Sequence, residues 1–278
     1  MNDAVLPFDP PLRTCNEDGT YHYSQLKILA NSGQKYLHAC NTQFEPTLAM
    51  RLGTAVHQII LGARPGREVV VFDGESRRGN AYKEFAAAHA GRDILTRAEM
   101  ERAERIAMAV RNDPEAERCL AGAQTEVRLE WEEMGLRFSS GGADIVGSGQ
   151  IGDLKTTSKT TIDEFKRQGA NELYHCQLAF YRRGANAMGI DSSRGLYVLA
   201  VQTGPCPEVV KYELTETMIA IGERAVASWL EKLRAYLDMC PSPTKYSDWP
   251  GMAIGPVSWA APAYLDPFGD EEEEEEAA

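Results

Sequence analysis

The stretch GGADIVGSGQIGDLKTTS, residues 141–158, decides how this chain is read. Apolar residues alternate on either side of Ser148-Gly149, which predicts two antiparallel strands joined by a two-residue loop. In that register Gly147 pairs with Gln150 and the numbers of every cross-strand pair sum to 297, so Asp144 falls opposite Asp153. Side chains so placed have Cβ atoms about 4.5–5.5 Å apart, where like charges repel. Lys155, two residues beyond Asp153, points to the same face. A divalent cation would relieve the repulsion, because hard cations take carboxylate oxygens, and the backbone carbonyl of Leu154 could complete the set. The competing reading is a solvated hairpin face with one weak ion pair. A register slip of one residue would favour that reading.

The rest of the chain bounds the possibilities. Its 278 residues, 43% hydrophobic and 25% charged with a mean hydropathy of −0.37, suffice for one large domain with a substantial core. No apolar run approaches the roughly 20 residues of a membrane span, and the opening MNDAVLPFDPPLRTC lacks a secretory pattern, so cytoplasmic residence and no membrane partner are expected. Cysteines 15, 40, 119, 176, 206 and 240 lie too far apart for zinc or iron–sulfur spacing and are read as reduced thiols. The formal charge is −12, but DEEEEEE at 270–276 supplies seven of those charges, leaving −5. Between Lys155 and Arg183 six basic residues face three acidic ones, so a DNA-binding cleft is compatible with the acidic total.

Residues 1–20 read as an irregular arm, 21–240 as one domain, and 241–278 as a Pro/Gly-rich extension with an acidic tail. Within the domain the pattern predicts a short helix capped by Ser24 and stopped at Gly33, then a second short helix. A helix capped by Thr47, ended by Gly62 and Pro65, carries His57. VVVF at 69–72 predicts a strand, and two or three helices follow to about 122, one capped by Thr96. An antiparallel meander with Met134-Gly135 and Ser148-Gly149 turns comes next, then a helix over 172–188, two strands, and a long helix over 215–239. The order is that of an α+β domain with a central mixed sheet flanked by helices.

A helix with G-x-x-x-H, a hairpin with D-(x)n-D-x-K and a helix with Q-x-x-x-Y together resemble the PD-(D/E)xK nuclease superfamily. Within it the chain looks like the RecE-type phage exonucleases, related to the RecB nuclease domain and lambda exonuclease. LGTAVH (52–57), GGADIVGSGQIGDLKTT (141–157) and HCQLAFYR (175–182) carry the likeness, which spans about residues 20–240. The chain departs from the pattern at Ala143, where the motif has proline, and at Asp153, where glutamate is common. The resemblance implies a restriction-endonuclease-like core and metal-dependent 5′-to-3′ degradation of one strand of duplex DNA, exposing a 3′ strand for recombination. It implies His57, Asp144, Asp153 and the Leu154 carbonyl as ligands to one or two Mg²⁺ ions, with Mn²⁺ able to substitute. Lys155 would position the attacking water, and Gln177 and Tyr181, four apart on one helix face, would support it. DNA ends, a homo-oligomeric ring and a RecT-like annealing protein are the implied partners. A RecB-like or CRISPR-associated nuclease of other polarity, or an inactive DNA-end-binding protein, are the alternatives.

Other residues are less determined. Arg51, Lys159, Lys166, Arg182 and Arg183 are candidate phosphate contacts, with Ser24 and Arg51 the bet for a 5′-phosphate pocket. Glu126, at the start of the strand before the hairpin, is read first as a solvated strand end. The acidic tail is read as a solubility feature.

Overall fold

The computed structural model of the chain describes residues 11–63, 68–74 and 77–252. Pro65 and the acidic tail therefore lie outside the described residues, as does the first half of the N-terminal arm. Two short helices open the fold, α1 (Tyr23–Leu29) and α2 (Gly33–Asn41), followed by α3 (Leu48–Leu61). Strand β1 (Val70–Phe72), helix α4 (Asn80–Ala88) and strand β2 (Ile94–Thr96) form an outlying unit with β1 and β2 parallel. Helices α5 (Arg97–Arg111) and α6 (Pro114–Leu120) lead into strands β3 (Gln124–Val127), β4 (Glu130–Glu133), β5 (Leu136–Ser139), β6 (Ala143–Gly147) and β7 (Gln150–Thr157). Helices α7 (Ile162–Asn171) and α8 (Tyr174–Ala187), strands β8 (Gly195–Gln202) and β9 (Val209–Glu213), and helix α9 (Glu216–Met239) complete the order.

The central sheet runs β3-β6-β7-β8-β9, with β7 and β8 parallel and the other neighbours antiparallel. The predicted α+β core with a mixed sheet is therefore what the chain forms. The parallel pair needs a crossover, and α7 with α8 supplies it. Strand β8 shows the period of two: Leu196, Val198 and Ala200 pack into one core cluster with α1, α2, α8 and α9, while Tyr197, Leu199 and Val201 pack into the other with α3, α5 and α6. Both faces of the sheet are thus covered. Among the described residues no helix is long and apolar enough to cross a membrane, and all six cysteines are free thiols.

Local chemistry explains several boundaries. Thr47, Thr96, Thr161 and Thr215 each accept the N3 amide of the helix they open. The first helix departs from expectation: its N-cap is His22, not Ser24, and Gly33 begins α2 behind a Ser32 cap instead of stopping α1. Gly33 is where α2 touches the C-terminal segment, since a Cβ there would lie 2.6 Å from the Tyr236 ring. The meander also differs: β4 and β5 form a separate hairpin, and β3 pairs directly with β6. The segment after Pro241, set apart by composition, packs at least through Trp249, which is fully buried against Tyr36 and Tyr236.

Candidate metal centre

The β6–β7 hairpin has the 297 register, with Ile145↔Gly152, Val146↔Ile151 and Gly147↔Gln150 paired. Ser148 and Gly149 both have positive φ, 51° and 72°, as a type I′ turn requires. The ladder ends one pair short of the aspartates. There Asp144 Oδ2 accepts the backbone N–H of Leu154 at 2.8 Å, so a side chain takes over where backbone pairing stops. Asp144 and Asp153 are both buried, at 3% and 1% exposure.

Helix α3 brings in the imidazole. A Cβ on Gly53 would lie 3.1 Å from Thr156 Oγ1, so the helix sits close against β7 at that point. One turn later His57 places Nδ1 3.6 Å from Asp144 Oδ2. Helix α8 closes the other side. Gln177 Nε2 donates to Asp153 Oδ1 at 3.0 Å and to Tyr181 Oη at 2.8 Å. Lys155 Nζ pairs with Asp153 Oδ2. These residues line one open cleft of about 690 Å³, which also takes in Met50, Asp93 and Glu126.

Glu126 corrects the sequence reading. The pairs Thr125↔Ile145 and Val127↔Ala143 bracket it across from Asp144, and its own φ is +54°. That conformation is uncommon for a residue with a side chain and costs about 1–3 kcal/mol. It accompanies a carboxylate turned toward the cleft: donor atoms of His57, Glu126 and Asp144 all lie within 4.8 Å of one another. Asp153, expected in the same ligand set, is instead engaged by Lys155 and Gln177, leaving Asp144 between the two groups. The only sequence signal for Glu126 was its position one strand from the hairpin, which the alternation of TEV cannot separate from a solvent-facing position.

Burial pushes the Asp153 carboxyl up to about 6, with Lys155 pulling down and Asp144 adding to the rise. Burial alone would lower the Lys155 pKa, but Asp153 and Asp144 outweigh it and hold the ammonium above the ordinary lysine value. Lys155 is therefore a fixed cation. A concentration of buried negative charge with an imidazole beside it fits a divalent metal, because carboxylate oxygens and a histidine nitrogen are the donors that hard and borderline cations take.

The cations expected at the cleft are placed less favourably. Arg51, six residues from His57, projects from a different side of the helix and lies 3.8 Å from Asp93, which itself lines the cleft, so its charge is already opposed there. Arg182, one residue past Tyr181, faces α9 and pairs with Glu223, its Nε 3.0 Å from Oε1. Arg183 forks onto Glu133 at 2.6 and 2.7 Å. Ser24 is exposed on α1 and outside the cleft lining, while Lys159, just before α7, and Lys166, on it, are exposed.

Residues 22–246 match the family model described as a PDDEXK-like domain of unknown function (DUF3799). The chain belongs to that family. It accordingly falls in the PD-(D/E)xK superfamily, whose members use divalent metals. Among solved structures, a candidate exonuclease from Eubacterium rectale has the same fold, with a TM-score of 0.56 and 15% identity over 90% of this chain and 93% of that one. A second structure, SSO0001, covers 77% of this chain and 90% of its own at 12% identity, and its TM-score of 0.26 carries no weight. No curated protein matches the sequence.

Proposed function

We propose that this PDDEXK-like protein is a metal-dependent DNA exonuclease of the RecE type, degrading one strand of a duplex from its 5′ end. The observation that carries the reading is the shared position of Asp144, which joins the His57–Glu126 group to the Asp153–Lys155–Gln177 group in one cleft. Two buried carboxylates with a third half-buried beside them cost stability without a counter-charge, whereas phosphoryl transfer has a use for them. The fold shared with a candidate exonuclease supports the same reading.

His57, Glu126, Asp144 and Asp153 would hold one or two Mg²⁺ ions, with Mn²⁺ as a substitute. Such an ion supplies Lewis-acid polarisation of the phosphate and a lowered pKa for water. The protein's own part is positioning. Lys155, kept charged, orients the water and stabilises negative charge on a non-bridging oxygen. Gln177 holds Asp153 in place, and Tyr181 holds Gln177. Water adds to phosphorus, one P–O ester bond breaks, and the leaving oxygen takes a proton, completing hydrolysis. Lys159 and Lys166 are suited to the DNA backbone. A ring of identical subunits, an annealing partner for the exposed 3′ strand, and action on cytoplasmic phage DNA complete the proposal.

The test uses linear duplex DNA with a 5′-phosphate, labelled at either end, with wild type and Lys155→Ala in Mg²⁺ or EDTA. Progressive release from the 5′ end, stopped by both the substitution and EDTA, is expected. Binding without loss of either label under any divalent metal would overturn the reading.

A further inference from the structure

Lys155 has a second contact besides Asp153: its Nζ stands over the ring of Tyr174, 5.1 Å from the centroid, within cation–π range. Tyr174 is the first residue of α8, and four features fix its ring. Leu173 before it adopts a left-handed conformation, φ 59° and ψ 41°, with its carbonyl accepting Tyr23 Oη at 2.7 Å. Gly169 of α7 leaves a notch for the ring, since a Cβ there would lie 3.2 Å from Tyr174 Cδ2. Phe165 packs beside it, centroids 6.1 Å apart. Gln168 Nε2 makes a long hydrogen bond to Tyr174 Oη at 3.4 Å, while its Oε1 accepts Thr157 Oγ1 at 2.8 Å. Thr157 is buried two residues beyond Lys155 on β7, so the chain of contacts starts and ends on the same strand.

We propose that Tyr174 is a positioning residue for Lys155, its ring acting as a second anchor for the ammonium. The physical case rests on competition. A carboxylate that also serves a cation cannot by itself fix a flexible lysine, whereas a ring face has no affinity for oxygen ligands and does not compete for the metal. Lysine on a four-carbon stem is otherwise free to rotate, and small misplacements of a charge-stabilising group cost rate steeply. The turn at Leu173, which also opens α8 and ties it to α1, sets where the ring starts, and the notch at Gly169 gives it room. The inference rests on the nuclease reading above only for its kinetic consequence.

The test has two independent arms. In metal-free protein carrying ¹³Cε-labelled lysine, the Lys155 ε-methylene signal, assigned by its loss in Lys155→Ala, should be shifted upfield by the ring current. The shift should persist in Tyr174→Phe and disappear in Tyr174→Leu. On linear duplex DNA with Mg²⁺, Tyr174→Leu should lower kcat about 10–100-fold with KM within about twofold. Tyr174→Phe should recover kcat to within about threefold of wild type, and Gly169→Ala should give an intermediate loss. A Lys155 signal at the exposed-lysine position in wild type, or a Tyr174→Leu effect confined to KM, would overturn the proposal. A Tyr174-dependent shift in a wild type that cuts no DNA would support the anchor and overturn the nuclease reading.

Discussion

Gly53 and Thr156 meet where α3 crosses β7, with room for a hydrogen but not comfortably for a methyl group. The contact sets the height of His57 above Asp144. Gly53→Ala should raise helix propensity by up to about 1 kcal/mol and lose part of that gain to the crowded contact. Thermal unfolding should therefore shift little, while Mg²⁺-dependent cleavage should fall about tenfold or more. Unchanged activity in a normally stable variant would show that this contact does not place His57.

Glu126→Gln should weaken binding of one divalent ion by more than about tenfold, measured by titration calorimetry with Mn²⁺, because the amide keeps the shape and loses the charge. Glu130→Gln, on the neighbouring exposed strand position, is the control and should leave binding unaltered. Equal isotherms for all three proteins would remove Glu126 from the ligand set.

The Asp153 carboxyl titrates near 6 in the folded chain, above its value of 3.8 when unfolded. Folded protein thus holds that proton more tightly, so this group's contribution to stability is present below about pH 4 and lost as pH rises through 6. In EDTA at pH 7.5 the ionised group should cost on the order of 3 kcal/mol. Asp153→Asn should be more stable than wild type under those conditions, by about 1–3 kcal/mol in urea unfolding, and lose the advantage near pH 4. Cleavage should be abolished. No gain at pH 7.5 would mean that the charge is accommodated without metal.

Gly152 pairs with Tyr197 across the parallel β7–β8 boundary, and a Cβ on it would lie 2.2 Å from the buried tyrosine ring. Gly152→Ala should destabilise the protein by about 3 kcal/mol. In a double-mutant cycle, Tyr197→Ala should recover part of that loss. Simple additivity would contradict the packing account.

Much of this was legible beforehand because it depends on local rules. The two-residue Ser148-Gly149 loop fixed the hairpin turn, and the period of two then fixed which residues face one another. Threonine caps at Thr47 and Thr96 marked two of the predicted helices in the same way. What escaped depends on contacts between distant segments. Residues 162–171 carry only Ile162 and Phe165 as large apolar groups, so the apolar side of α7 is short, and its capping box was the further sign. The pairing of β3 with β6 passes over the β4–β5 hairpin, and alternation within each strand says nothing of which neighbour it chooses. The same blindness hid Glu126, whose orientation follows from a backbone conformation unfavourable for its residue type. It also made Arg51 and Arg182 look available, although each already has a carboxylate near it.

The amide of Leu12 donates to the carbonyl of Pro243 at 2.6 Å, and Trp249 is seated between α2 and α9 by Tyr36 and Tyr236. The first and last described segments are thus fastened side by side, and neither Leu12, Pro243 nor Trp249 lines the cleft. Within the described residues the chain therefore returns, more than 200 positions later, to the neighbourhood in which it starts. The same adjacency makes a chain trimmed to the described residues suited to circular permutation, with a linker joining the segments that carry Leu12 and Pro243 and new ends opened elsewhere.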